Sequence, residues 1–505
     1  MTRLRRANSA LVIFVAALVL TSCTRSNVEQ FVSRLPPAAP AIALANVRLI
    51  DGTGTPSKDS QTIVISGERI TAIGPSGSVR VPPEAKTWDL KGRTVMPGFV
   101  GMHDHLFYHS GHSGGMPYVI APQESFAMLY LATGVTTIRT TGTADFEGDL
   151  RIKRLIDEGK RPGPTIYVTG PYLHALTASP DPERVAKDVA GWADQGATSF
   201  KAYMSLRRDE LKAAIDTAHA RGLKVTGHLC AVGFERAADL GIDNLEHGLL
   251  VDTEFNASKQ PDVCPDSGET LQTMYSIDVA SPVIQRLISL LVRRGIAVTS
   301  TLAIYESFSS RAQLDPRTLP LLAPSALERY RAEQATITDR RTAGWNELLR
   351  KEMEFERAFV AAGGRLLAGV DPTGWGGIVA GFGDQREIEL LVAAGFTPEV
   401  AIRIASANGA AWLNDTNVGY LAPGMQADLV LVRGNPSGNI ADIRNVEVVF
   451  KKGVGYDPDA LIAATSGTVG ATEWWRYFRW PYGPIMAVLI VLLIARRVWR
   501  NYRPA

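Results

Sequence analysis

Between residues 100 and 370 the chain alternates short strand-like runs with amphipathic helical stretches, and the strand runs number eight. They fall at 100–102, 135–139, 165–169, 199–203, 224–228, 244–247, 297–301 and 366–370. The helical stretches between them are well marked. In 209–221, Leu211, Ala214, Ile215 and Ala218 keep the i, i+3, i+4, i+7 spacing and Gly222 closes the helix. Thr397 and Pro398 open another as N-cap and first helical residue, running to about Asn408. Strand and helix in alternation argue for a parallel sheet, and eight strands over about 300 residues predict an α/β fold of the closed (β/α)8 barrel type, placed at 99–415.

Short β signals dominate 42–98 and return at 416–456, which predicts one small β-sandwich domain assembled from both sides of the barrel. Residues 24–41 and 457–473 read as linkers. A hydrophobic content of 46% with 21% charged residues excludes a mainly disordered chain. The net charge of +2 gives nucleic acid no overall attraction. The basic excess sits at the two ends. Arg3, Arg5 and Arg6 precede the apolar run 11–20, and Leu20-Thr21-Ser22-Cys23 follows, the order of a secretory signal. The tetrad resembles the bacterial lipoprotein box, which makes Cys23 a candidate for lipid attachment. Trp474, Trp475, Tyr477, Trp480 and Tyr482 lead into the apolar run 485–495, and Arg496, Arg497, Arg500 and Arg503 follow. An aromatic belt, an apolar run and an arginine cluster predict a transmembrane anchor at 474–505 with its arginines on the cytoplasmic side. The expected location is a bacterial inner membrane, with the body of the chain on the periplasmic, extracytoplasmic face. Three cysteines are too few for a disulfide framework, and Cys230 reads as a packed thiol. The insertion 251–281, which contains Cys264, is the candidate lid.

His103 and His105 end the first barrel strand, where positions i and i+2 face one way and Asp104 faces another. Two imidazoles on one face suit a metal ion. His228, His247 and Asp371 end three further strands, on the face where barrel enzymes build their sites. Lys201 ends a fifth. Burial favours its neutral amine, which adds carbon dioxide to give a carbamate, an anionic oxygen donor.

These residues, in this order and strand placement, resemble the binuclear members of the amidohydrolase superfamily, especially the prolidase-like and imidazolonepropionase-related branch. The likeness covers about 42–455. It includes Ala-Asn-Val-Arg-Leu-Ile-Asp-Gly-Thr-Gly from Ala45, Val-Met-Pro-Gly-Phe-Val before the histidines, Gly-Val-Thr-Thr-Ile-Arg at 134–139 and the closing Pro-Gly-Met-Gln-Ala-Asp-Leu-Val-Leu-Val. The resemblance implies two divalent ions, zinc foremost. One would be held by His103, His105 and Asp371 and the other by His228 and His247, with N6-carboxylated Lys201 bridging them. It further implies a metal-bridging hydroxide as nucleophile, Asp371 as proton carrier and Tyr203 as the group that holds the substrate carbonyl or carboxylate.

His109 and His112, in the loop after the first strand, are candidate substrate contacts, and His174 follows the third strand. His219, on a helix, reads as structural. Two departures limit the transfer. Ala231 stands where deaminases and imidazolonepropionases carry a glutamate, and Thr140 stands where relatives often have an aspartate. The expected activity is hydrolysis of an amide or peptide bond in a dipeptide, a C-terminal residue or an N-acyl amino acid. Alternatives are a lactonase or phosphotriesterase-like esterase on the same metals, or a membrane-held binding scaffold without chemistry. The expected partners are a small molecule or short peptide and the membrane, with homo-oligomerisation left open.

Overall fold

A computed structural model of the chain describes residues 28–33, 39–108, 123–175, 179–312, 315–340, 343–373 and 377–471. Eight strands form its centre, numbered here β1 (Phe99–Asp104), β2 (Val135–Thr140), β3 (Thr165–Tyr167), β4 (Ser199–Met204), β5 (Lys224–Leu229), β6 (Asn244–Glu246), β7 (Ala297–Ser300) and β8 (Leu366–Ala368). All their pairings are parallel, β1 to β3 in one run and β4 to β8 in another. The runs meet at both edges. Backbone bridges join Thr169 to Ser199 and Leu173 to Ala202. At the other seam the amides of Val370 and Asp371 donate to the His103 carbonyl at 3.2 and 2.8 Å. That approach requires Gly369, because a Cβ there would lie 2.2 Å from the His103 Cβ.

The helices follow the apolar periodicity. Arg208–His219 buries Leu211, Ala214, Ile215 and Ala218. The Thr397 hydroxyl accepts from the Val400 amide at 3.3 Å and caps Pro398–Arg403, and helical backbone continues through Gly409–Leu413, past the expected end. The two β-rich flanks assemble as a single eight-stranded sheet. Its order is Val454–Tyr456, Val446–Lys451, Leu429–Arg433, Arg93–Pro97, Ala41–Leu49, Lys58–Ser66 and Arg69–Pro75, with Lys86–Asp89 also paired to Ala41–Leu49. Leu44, Val47, Ile63, Val95, Leu431 and Phe450 give it a core separate from that of the barrel.

Three expectations change. The second linker is folded as far as residue 471: Asp457 caps the helix Pro458–Ala463, Leu461 and Val469 are fully buried, and Val469 exchanges backbone bonds with Leu321 and Ala323. Part of the first linker is docked, since Phe31 is buried and Ser33 N donates to Gly455 O. Cys230 is not a packed free thiol. It forms a disulfide with Cys264 across a Cα–Cα distance of 5.0 Å, and a local pair needs no framework of many cysteines. The signal, Cys23 and the 474–505 anchor lie outside the described residues, among which no helix is long and apolar enough to cross a membrane.

The disulfide ties the insertion to the chain just after β5. Lys259 Nζ donates to the carbonyls of Cys230, Ala231 and Val263, and Arg208 makes a forked pair with Asp262. With the cysteines 34 positions apart, loop closure contributes about 3–4 kcal/mol in the chain-entropy model. Reduction should therefore lower the melting temperature by several degrees and expose 252–281 to limited proteolysis. Unchanged cleavage with and without reductant would show that the noncovalent contacts suffice.

Candidate metal centre

The side chains that end the barrel strands converge. His103 and His105 leave β1 on one side, while Asp104 turns to the other, toward Asp384. Tyr130 braces the strand end, with its hydroxyl accepting from His105 N at 3.2 Å and donating to His105 O at 3.0 Å. Lys201, on β4, is only 2% exposed, and its Nζ lies 3.1 Å from His103 Nε2. Asp371 Oδ1 lies 3.1 Å from His105 Nε2 and 3.8 Å from His103 Nε2. The His247 ring is 4.4 Å from that of His103 and 4.5 Å from that of His228, centroid to centroid. Tyr203 stands edge-on to His228 at 5.2 Å. All six expected ligands and Tyr203 thus share one neighbourhood.

Two of the six adopt backbone that non-glycine residues seldom take: φ is 69° at His247 and 49° at Asp371. Left-handed conformations of this kind cluster at functional sites, where the surrounding structure over-determines them. Here the Tyr305 hydroxyl donates to His247 O at 2.8 Å, and the Asp371 amide is held by His103 O.

The donor set suits a divalent ion. His247 uses Nδ1 on the Thr301 hydroxyl at 2.9 Å, which leaves Nε2 buried and without a partner. Ligand atoms of His103, His247 and Asp371 lie within 4.8 Å of one another. Two imidazoles and a carboxylate are a common zinc set. Burial, with Lys201 next, pushes His103 down to about 4 and His228 down to about 3. His105 and His247 are lowered, chiefly by burial. Neutral imidazole is the form that binds metal. Burial alone would raise the Asp371 carboxyl, yet His103, His105 and His247 outweigh it and hold the group well below the carboxylate range. Burial also brings Lys201 down to about 8, against the pull of Glu246 and Asp371.

Sequence reasoning missed Glu246. Its carboxylate is fully buried and bridges His103 Nδ1 at 2.8 Å and Arg139 Nη2 at 2.6 Å. The signal was an acid inside a barrel strand, one residue before His247. Of the remaining candidates, His109 and His112 lie outside the described residues. His174 is half-buried against Tyr172 and Tyr203, and His219 pairs with Asp243 at 2.9 Å away from the centre. Ala231 is buried and offers no proton carrier, and the Thr140 hydroxyl accepts from Thr169 N.

Carboxyls behind the strand ends carry a stability signature of their own. Burial pushes Asp252 up to about 8 and Glu387 up to about 7, and raises Glu352 and Asp384 as well. For such groups the stabilising contribution is complete below the unfolded value near 4 and is lost as pH rises through the folded value. The histidines act oppositely, but only below their ordinary 6.5. Between pH 6.5 and 8 the loss at these four carboxyls outweighs the smaller opposing gain from Lys201, itself brought down to about 8, so chelator-treated protein should melt several degrees lower at pH 8 than at pH 6.5. A flat or rising melting curve across that window would contradict the burial of these acids.

Comparison with known proteins agrees with this layout. The model of the amidohydrolase family matches residues 94–260 and 322–455. An imidazolonepropionase of Streptomyces avermitilis is 32% identical over 107 residues, which are 21% of this chain and 25% of that protein; the match thus spans about a quarter of that relative's length. A Xaa-Pro dipeptidase solved with methionine bound in its active site superposes with a TM-score of 0.60 at 21% identity, covering 83% of this chain and all of that one. Molinate hydrolase gives a TM-score of 0.62 at 18% identity, covering 84% and 96%. At these identities the two structures speak for the fold alone.

Proposed function

We infer the activity from one premise: this chain belongs to the amidohydrolase family. We propose that it is a metal-dependent hydrolase of amide carbon–nitrogen bonds, acting on a dipeptide, a C-terminal residue or an N-acyl amino acid. The observation that carries the proposal is the meeting of His103, His247 and Asp371 donor atoms around a buried, unpartnered His247 Nε2. The dipeptidase neighbour with its bound amino acid supports the substrate class.

In this reading His103, His105 and Asp371 would hold one divalent ion and His228 and His247 a second, with zinc the expected metal and carboxylated Lys201 as a further ligand. Bound there, the ions supply acidification of water, so that a nucleophile exists near neutral pH. Asp371 accepts the proton of the attacking water and passes it to the leaving nitrogen. Tyr203 orients the substrate carbonyl or carboxylate, and His109 and His112 remain proposed substrate contacts. Export through the amino-terminal signal, with anchoring by lipid on Cys23 or by the 474–505 segment, places the site on the extracytoplasmic side of the membrane.

The test is a screen of the zinc-loaded full chain against dipeptides, N-acyl amino acids and lactones, with a chelated control. Turnover of an amide that chelation abolishes and zinc restores is expected. Turnover of lactones alone would replace the proposal with an esterase, and metal-independent turnover would end it.

A further inference from the structure

Beneath the centre, one arginine crosses the barrel interior. Arg139, on β2, donates from Nε and Nη2 to the carbonyl of Met102 on β1 at 3.1 and 2.6 Å. Its Nη1 reaches the Thr226 hydroxyl on β5 at 3.3 Å, and Nη2 also reaches Glu246 Oε1 on β6 at 2.6 Å. The guanidinium lies over the Trp412 ring, 5.1 Å from its centroid. Neither Arg139 nor Glu246 has any exposed surface. A buried ion pair of this kind adds little net stability, because desolvation offsets the attraction. What it does is hold one carboxylate oxygen, Glu246 Oε2, 2.8 Å from His103 Nδ1.

A carboxylate paired with a guanidinium only accepts hydrogen bonds, so the proton between Glu246 and His103 sits on Nδ1. The lone pair of His103 is thereby placed on Nε2, the atom that faces Lys201 Nζ at 3.1 Å and Asp371 Oδ1 at 3.8 Å. With the other tautomer Nε2 would carry a hydrogen and could bind no metal. We infer that Glu246, held by Arg139, is a positioning residue that fixes the His103 tautomer and aims Nε2 at the metal centre. The inference rests on the metal reading above and extends it to a residue that touches neither metal nor substrate. Outer partners of this type make the ligand more basic and lock its orientation.

The test compares wild type with Glu246→Gln. An amide of the same shape has one acceptor oxygen to divide between Arg139 and His103. Cobalt(II) affinity, measured by competition with a chromophoric chelator on folded protein, should fall about ten- to hundred-fold. The visible absorption band of the cobalt-loaded variant should shift, and kcat should fall with KM little changed. A merely structural role would lower the melting temperature and leave affinity and band alone, and that result overturns the inference. Should the variant fail to fold, nitrogen NMR of the histidines in metal-free wild type decides: protonation at Nδ1 of His103 supports the assignment, and protonation at Nε2 overturns it. A wild type that takes up no cobalt would sink the metal reading itself. A wild type that binds beside a variant that binds equally well sinks only the role of Glu246.

Discussion

Replacing Lys201 with alanine should cost about a thousandfold or more in kcat/KM and remove metal in the same step. Losing one charged group at the reacting centre already costs about a hundred- to a thousandfold in comparable sites, and here a metal ligand goes with it. The side chain is 2% exposed, and among the described residues no carboxylate stands within ion-pair distance of Nζ. Its close polar neighbour is His103 Nε2, and the rings of Tyr172 and Tyr203 lie 5.5 and 5.9 Å away. An ammonium left there would be buried with Glu246 and Asp371 acting on it only from beyond ion-pair distance, and it would repel a metal. The neutral amine, brought within reach near neutral pH by the descent to about 8, resolves both problems and is the form that takes up carbon dioxide. Mass spectrometry of intact protein, metal analysis and kinetics on one preparation check the claim. A Lys201→Ala protein that keeps its zinc and its turnover would leave Lys201 as rim packing.

The extent to which this centre is legible in sequence follows from how each residue is placed. His103 and His105 are two apart where the strand runs out at Asp104, so their shared side follows from the alternation of an extended chain. Asp371 was legible as a strand-end acid, although the strand itself stops at Ala368 and the turn at φ 49° delivers the carboxylate. The strand expected at 244–247 shows the limit: the strand ends at Glu246, and His247 leaves it in a left-handed conformation. That change of backbone lets Glu246 point inward toward Arg139 while His247 reaches the centre, a division that alternation cannot show. The Cys230–Cys264 pair was hidden for another reason, since a separation of 34 residues carries no distance. The helix after 457 did carry its signal, an aspartate N-cap followed by proline, but an apolar face of few residues weighed little against the small polar residues around it.

Replacing Asp371 with asparagine separates proton transfer from architecture. Asparagine has the same shape and tolerates the left-handed backbone that aspartate adopts here, so the fold should survive with its melting temperature within a few degrees of wild type. Two properties go: the charge, which His103, His105 and His247 surround and stabilise, and the capacity to accept a proton. An amide that still offers one oxygen keeps part of the ligand role, so metal affinity should fall less than it does on loss of Lys201. Turnover should fall more steeply, by about a hundred- to ten-thousandfold in kcat, the range general acid–base catalysis supplies. Substrates with better leaving groups should recover part of the loss, because a leaving nitrogen that departs without protonation no longer needs the carrier. An activated anilide and an unactivated dipeptide, assayed side by side on Asp371→Asn at saturating zinc, make the comparison. Equal losses on both would mean that Asp371 serves the metal and carries no proton, and the proposed route from water to leaving nitrogen would have to pass through another group.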